Sequence, residues 1–150
     1  MFRSLRVSAL LVLALATSVS ARDQHPQHDL TATSHHRTVQ ATLGTHCTMS
    51  DGAMACADYV YPLETKKRLP VHGRGRIRLE FGAEPEHIYP ELRDHRSRSI
   101  FELTARGDGR EWTVRLPRHL PRGMDRLGVF VMYKRGDADF EVDLRRHRHR

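Results

Sequence analysis

Two cysteines flank a tight turn in the first half of the chain, and this segment constrains the fold more than any other. It reads Cys47-Thr-Met-Ser-Asp-Gly-Ala-Met-Ala-Cys56. Asp51-Gly52 is typical of a type I′ hairpin turn, because both central residues of that turn need a positive φ. Pairing residues outward from the turn puts Cys47 opposite Cys56 at a non-hydrogen-bonded position, where Cα atoms lie about 4.5 Å apart. The sequence therefore predicts a β-hairpin closed by a disulfide.

Apolar residues alternate with polar ones in several later segments, which is typical of strands with one buried face. The clearest are Ile77-Leu79-Phe81, Trp112-Val114-Leu116 and Phe140-Val142-Leu144. Turn-forming residues recur about every 8–12 positions, and no helical period extends beyond one turn. We therefore predict an all-β, immunoglobulin-like β-sandwich of about seven to nine short strands with one disulfide-stapled hairpin. The alternation also predicts that Trp112 is buried in the core, with an exposed ligand platform as the rival interpretation.

The N-terminus has the three parts of a bacterial export signal. Arg3 and Arg6 precede an apolar run, and Val19-Ser20-Ala21 supplies the small residues that signal peptidase accepts. The run is shorter than the roughly 20 apolar residues of a spanning helix. We expect cleavage after Ala21 and a mature protein that is secreted or periplasmic, with membrane contact only through the uncleaved signal.

The remaining chain divides by composition. Residues 22–37 are polar and contain four histidines, so we predict a flexible His-rich linker there. Residues 38–144 carry the alternating pattern and form the predicted β-sandwich domain. Residues 145–150 are a basic tail that we expect to be solvated.

The net charge of +7 invites a nucleic-acid interpretation, but the charge is not in the predicted domain. Removal of the signal leaves +5, and removal of the four tail arginines leaves +1 for residues 22–144. A nearly neutral domain outside the cytoplasm is a poor fit to a nucleic-acid partner. We expect none, and no cofactor.

Three short motifs around the cysteines resemble a stretch of uncharacterised exported bacterial proteins. They are Leu43-Gly-Thr-His-Cys47, Cys56-Ala-Asp58 and Tyr61-Pro-Leu63. Those proteins carry Leu-Gly-Ser/Thr-x-Cys, then Cys-Ala/Val-Asp, then Pro-Leu, ahead of a β-rich C-terminal half. They often have Trp after the first cysteine, where this chain has Thr48. The resemblance implies export and a disulfide, and it implies no activity.

Histidine is the commonest potential ligand, with 11 residues in the chain. His25, His28, His35 and His36 cluster in the predicted linker and are candidate Cu or Zn ligands. Met49 and Met54 face each other in the predicted hairpin and would suit Cu(I) if an imidazole joined them. His46 has the opposite strand parity, so packing of the two methionines against the sheet is the favoured interpretation.

Arginine clusters are the other candidates. Arg93, Arg96 and Arg98, and also residues 74–78, could meet an anionic envelope polymer, although interspersed acids favour a merely solvated surface. Arg106-Gly-Asp108 and Arg135-Gly-Asp137 are predicted to be turns rather than adhesion motifs.

No nucleophile elbow, zinc-protease pattern or phosphate-binding loop is present in the sequence. We therefore expect an exported, non-enzymatic accessory or binding protein of the bacterial envelope or the medium. The sequence does not identify its ligand, and the candidate partners are an anionic envelope polymer and a protein. The alternative is a periplasmic or extracellular Cu/Zn-binding protein that uses the His-rich ends.

Overall fold

A computed structural model of the protein describes residues 26–65 and 67–146. These residues form a short 3-10 helix, Pro26–His28, followed by twelve β-strands. The strands are β1 (Leu30–Ser34), β2 (Arg37–Gln40), β3 (Thr42–Ser50), β4 (Ala53–Ala57), β5 (Arg68–Val71), β6 (Arg76–Phe81), β7 (His87–Asp94), β8 (Ser99–Glu102), β9 (Thr104–Asp108), β10 (Glu111–Arg115), β11 (Met124–Tyr133) and β12 (Gly136–Arg146). Nowhere in this described part is there a helix of the length and apolarity that crossing a membrane requires.

The strands form two sheets. The first sheet has five antiparallel strands in the order β2-β1-β6-β10-β9. The second has seven strands, with the antiparallel order β4-β3-β12-β11-β7-β8. Its seventh strand, β5, runs parallel to the C-terminal end of β12, beyond the part of β12 that pairs with β3.

The inward faces of both sheets contribute to one hydrophobic core. In β6 the burial alternates as the sequence predicts, with Ile77, Leu79 and Phe81 buried and the residues between them exposed. The all-β prediction is therefore confirmed. The expected count of strands was too low, because several polar segments also form strands.

The disulfide-stapled hairpin is confirmed in the predicted register. Asp51 and Gly52 have φ values of 51° and 80°, as a type I′ turn requires. Cys47 lies opposite Cys56 in the β3–β4 ladder, and the two are bonded with Cα atoms 4.1 Å apart. A disulfide of this kind is consistent with an oxidising compartment outside the cytoplasm.

The predicted linker at 22–37 is wrong from Pro26 onward. Residues 30–34 form β1, an interior strand of the first sheet, and His35-His36 is the turn to β2 with φ values of 47° and 62°. Only two apolar residues in β1 face the core, so the segment resembles a polar linker in composition. Residues 22–25 lie outside the described residues.

The predicted tail also begins too early. β12 continues to Arg146, because Arg145 and Arg146 pair with Pro70 and Val71 of β5. Residues 147–150, like the predicted signal at 1–21, lie outside the described residues. The two Arg-Gly-Asp motifs differ from each other. Arg106-Gly-Asp108 lies within β9, whereas Arg135 is a turn residue and Gly136 and Asp137 begin β12.

Trp112 lies at the margin of the core. Trp112 is in β10, where it lies opposite Leu79 of β6 and Gly107 of β9. Its side chain is on the same face as that of Val114 and is half-buried against the core. Its indole Nε1 donates a hydrogen bond to the Gly109 carbonyl at 3.1 Å. A Cβ at Gly107 would clash with the Trp112 backbone, so glycine there permits the close approach. The burial is partial, short of the full burial that the alternation predicts.

The outward face of the second sheet holds a buried ion network. The Arg93 guanidinium donates two hydrogen bonds of 2.8 Å to the two oxygens of Asp139, in the bidentate geometry that makes such pairs strong. Its Nε donates to Glu91 at 2.6 Å. The Tyr61 hydroxyl donates to the same Asp139 carboxylate, and Arg93 lies over the Tyr61 ring.

Glu141 extends this network along β12, because it lies two residues after Asp139 on the same face of the sheet. It is fully buried and accepts hydrogen bonds from Arg93 at 3.2 Å and from Arg126 at 2.8 Å. The Leu63 N–H also donates to Glu141, and the Leu63 carbonyl accepts from Arg126 at 2.8 Å. The segment around Tyr61 and Leu63 is therefore fastened across the sheet by charged groups.

Two glycines make room for this arrangement. A Cβ at Gly128 would clash with the Arg93 side chain, which crosses β11 at that point. A Cβ at Gly44 would clash with the Tyr61 hydroxyl and touch Leu63.

The network changes the proton affinity of its members. Burial alone would lower the pKa of Arg93, but the hydrogen bond and charge of Asp139, and then those of Glu91, raise it. Burial raises the pKa of Tyr61, and the Asp139 carboxylate raises it further. Arg93 is therefore a cation and Tyr61 a neutral donor at every physiological pH.

We expect Arg93→Met to be strongly destabilising. The change leaves Asp139 buried without its cation and Glu141 with Arg126 alone, and removal of one partner from a buried ion pair typically costs about 3–5 kcal/mol. Arg96→Met is the matched control, because Arg96 is exposed and the same change should cost no more than about 0.5 kcal/mol. Urea unfolding of the three proteins measures both effects, and equal stabilities for the two variants would contradict a structural role for the network.

Candidate anion-binding site

The exposed face of the first sheet carries a group of arginines. Alternation in β6 and β10 turns Ile77 and Val114 into the core, so Arg76 and Arg115 project to the outside. Arg106 of β9 joins them from the neighbouring strand. We call these three residues the arginine groove, because they line a surface depression of about 500 Å³ together with Thr104, Gly107 and Thr113.

The strand register brings like charges face to face. Arg115 is the cross-strand partner of Arg76 on one side and of Thr104 on the other, while Thr113 is the partner of Arg106. Directly opposite side chains have Cβ atoms about 4.5–5.5 Å apart, where like charges destabilise a sheet. The Arg76–Arg115 pair thus has an energetic cost that a bound anion would remove.

None of these three arginines forms an ion pair with a carboxylate of the described ranges 26–65 and 67–146. All the ion pairs found there involve other arginines, and none includes Arg76, Arg106 or Arg115. One position further along the same face, Arg78 donates to Glu111 at 2.6 Å. Glu111 in turn lies opposite Glu80, so this end of the face is acidic and the groove end is basic.

A second depression extends the basic surface. It has a volume of about 380 Å³ and shares Arg115 and Thr104 with the arginine groove. Arg74 and Arg118 line its far side, and Glu102 is its one acidic lining residue. Five arginines therefore lie along one continuous surface, which suits an extended anion better than a single small one.

The predicted cluster of Arg93, Arg96 and Arg98 does not form one surface. Arg93 is buried in the ion network described above, so it cannot be part of an exposed ligand surface. Arg96 and Arg98 are exposed in the β7–β8 connection. Arg98 donates to Asp94 at 2.7 and 2.9 Å, and the charge of that pair is locally balanced.

The predicted histidine ligands are separated. His28 contacts His46 with ring centroids 4.2 Å apart, and His35 contacts His72 at 4.5 Å. His36 is exposed in the turn, and His25 lies outside the described residues. In the part of the chain that the structure covers, no three of the side chains that hold metals come together.

The methionine pair is placed differently from the favoured interpretation. Met49 and Met54 are cross-strand partners as expected, but their exposed fractions are 43% and 60%. The prediction that these two methionines pack against the sheet is therefore wrong. The β3–β4 hairpin lies at the sheet's edge, where the described part of the chain covers these side chains only in part.

Sequence reasoning missed Arg106 and Arg115 as site residues. Each belongs to a different strand from Arg76, and only the register β6-β10-β9 brings them together. The sequence did contain one indication of this site. In the alternating segments the arginines occupy the positions between core residues, which predicts that their side chains point outward.

Comparisons of this chain with family models, with curated proteins and with solved structures find no match.

The connection that carries Arg96 and Arg98 depends on an ionised Asp94. Hydrogen bonding from the Arg98 backbone N–H, and then from its side chain and the Arg96 N–H, lowers the pKa of Asp94 to about 2 against the opposing effect of burial. A depressed pKa means that this stabilisation is complete above the unfolded value of about 4 and is lost as the pH falls towards 2.

We expect Asp94→Asn to reduce the dependence of the melting temperature on pH between about 5 and 2. The control is Asp125→Asn, at an exposed carboxylate elsewhere. Carbon-detected NMR titration of the wild-type Asp94 carboxylate gives the pKa directly. A midpoint near the ordinary value would refute the assignment.

Proposed function

We propose that the protein is an exported, non-enzymatic binding module of the bacterial envelope or medium, and that the arginine groove binds an anionic polymer. The shared chemistry of such a ligand is a repeated phosphate, sulfate or carboxylate group on an extended chain. The observation that carries the proposal is the direct pairing of Arg76 with Arg115, beside Arg106 and without a carboxylate partner for any of the three in the described residues. Like charges directly opposite each other destabilise a sheet, and an anion bound between them would relieve that repulsion.

Arginine suits this role chemically. Its planar guanidinium forms paired hydrogen bonds to phosphate, sulfate and carboxylate oxygens. Thr104 and Thr113 line the same depression and offer hydroxyls to the same ligand. The lining of the arginine groove contains no histidine or carboxylate that could act as a general base, which favours binding over catalysis.

We also propose an immunoglobulin-like topology for the domain. Support comes from the strand orders, since β1-β6-β10-β9 corresponds to the A-B-E-D sheet and β12-β11-β7-β8 to the G-F-C-C′ sheet. On this interpretation β2, β3 and β4 are an insertion that carries the disulfide hairpin. Immunoglobulin-like domains commonly serve as binding modules, which is an argument from analogy.

Export is supported by the predicted signal at 1–21, by the disulfide, and by the resemblance to exported bacterial proteins. The Cu/Zn alternative stays a prediction. It depends on His25 and on His147 and His149, which lie outside the described residues.

Binding to defined polyanions tests the proposal. We expect the mature protein to bind heparin, polyphosphate or polygalacturonate, which present sulfate, phosphate and carboxylate groups respectively, and not neutral dextran. Affinity should fall steeply with added NaCl, because neutralised charges release counterions. Isothermal titration calorimetry at two or three salt concentrations measures the affinity, and the rank of the three polymers identifies the preferred group.

The double variant Arg76→Gln/Arg115→Gln should weaken binding by about tenfold or more, since each lost charged hydrogen bond contributes about 1.5–3 kcal/mol before solvent screening. It should also raise the melting temperature slightly by removing the like-charge contact. Arg135→Gln, at an exposed turn of the other sheet, is the control and should change neither. The proposal is contradicted if the double variant and the Arg135→Gln control lose the same affinity, or if the wild-type protein binds none of the polyanions.

A further inference from the structure

Strand β4 is an open and uncharged edge of the second sheet. Among the described residues it pairs only with β3, and its sequence Ala53-Met-Ala-Cys-Ala57 has no charged side chain, no proline and no bulge. We propose that the mature protein self-associates by antiparallel pairing of β4 with β4 of a second copy. This inference is independent of the arginine groove, which lies on the other sheet.

The other edge strands are protected in the usual way. The residues that protect them are Arg37 in β2, Arg68 and Pro70 in β5, Glu102 in β8, and Arg106 with Asp108 in β9. Charges on an edge strand oppose the approach of a second strand, and natural proteins use them for that purpose. β4 lacks this protection, so it is the edge of the described fold that is open to pairing.

The hairpin register fixes which backbone groups are available. Cys47–Cys56 and Met49–Met54 are non-hydrogen-bonded pairs of the β3–β4 ladder, so the N–H and C=O groups of Met54 and Cys56 point away from β3. These groups form a short row of two donors and two acceptors at the sheet's margin.

This row is self-complementary. With a two-fold axis at Ala55, Met54 of one copy is the hydrogen-bonded partner of Cys56 of the other, and the reverse pair forms as well. The two pairs together use every outward-facing group of the row, in about four hydrogen bonds. No other antiparallel register of two β4 strands satisfies all of them.

The side chains fit the same register. Met54, with 60% of its surface exposed, would lie beside the partner's disulfide on the same face of the joined sheet. Across the axis Ala55 faces Ala55, which imposes no steric limit. A second copy is therefore a better match than a strand with large or charged residues at these positions.

The contact is small, and this sets its expected strength. β4 has five residues, whereas a standard interface involves about 20–30 residues on each side. The dimer is therefore weak, because about four backbone hydrogen bonds of modest net strength correspond to a dissociation constant on the order of 1 mM or somewhat below. Asp51 and Asp58 of opposite copies come close at the ends of the pairing, so added salt should strengthen the dimer by screening them. Polyanion binding at the arginine groove weakens with salt, and the two proposals are thereby distinguished.

Sedimentation equilibrium of the mature protein, with its disulfide intact, tests the inference. We expect the weight-average mass to rise from one chain towards two between about 10 µM and 1 mM. Ala55→Lys places two cations opposite each other at the axis and should weaken the dimer by at least about fivefold. Thr38→Lys adds the same charge to the exposed edge strand β2 and should leave the dimer unchanged.

A second measurement locates the contact. Amide hydrogen exchange at Met54 and Cys56 should slow as protein concentration rises, while exchange in β2 should not. Near-ultraviolet circular dichroism shows that both variants remain folded. A protein that stays monomeric to about 1 mM overturns the proposal. A dimer that Ala55→Lys leaves intact, or one with no protection at Met54 and Cys56, overturns it equally.

Discussion

The bidentate pair of Arg93 with Asp139 is the interaction on which the second sheet depends. Charges that are removed from water cost several kcal/mol each unless partners of good geometry compensate them. Here each charge has several partners, and the Leu63 backbone is one of them. The network therefore stabilises a particular path for the segment after β4 as well as the packing of three strands. The network also requires glycine at positions 44 and 128, because a side chain at Gly44 or Gly128 would occupy the space of the network's side chains.

Arginine has opposite consequences on the two sheets. On the second sheet, carboxylates of β7 and β12 surround Arg93, and the charge becomes part of the fold. On the first sheet, Arg76 and Arg115 face each other in the open and contribute repulsion rather than stability. An arrangement that costs stability at an exposed surface is better explained by a ligand than by folding. The contrast supports the proposal that the first sheet presents the binding surface.

The disulfide hairpin is a local addition at the margin of the larger sheet. β3 covers the N-terminal half of β12 and β5 covers the C-terminal half, so that together they close one edge of the sheet. The addition of β4 then creates a new edge, and the disulfide holds its register against slippage. The exposed methionines, the uncharged strand and the covalent closure thus all belong to this one hairpin.

The hairpin, its disulfide and the faces of strands such as β6 follow from the amino-acid sequence, because they depend on residues close together in the chain. Turn chemistry and period-two alternation are local constraints, and no long-range contact is needed to satisfy them. The tertiary structure alone decided which strands are neighbours, and hence that Arg76 meets Arg115 while Arg93 meets Asp139. Both pairings join residues far apart in sequence. The amino-acid composition does not show which arginines are buried and which are exposed. β1 was missed for the same reason, since its burial depends on β6 and β2 on either side of it.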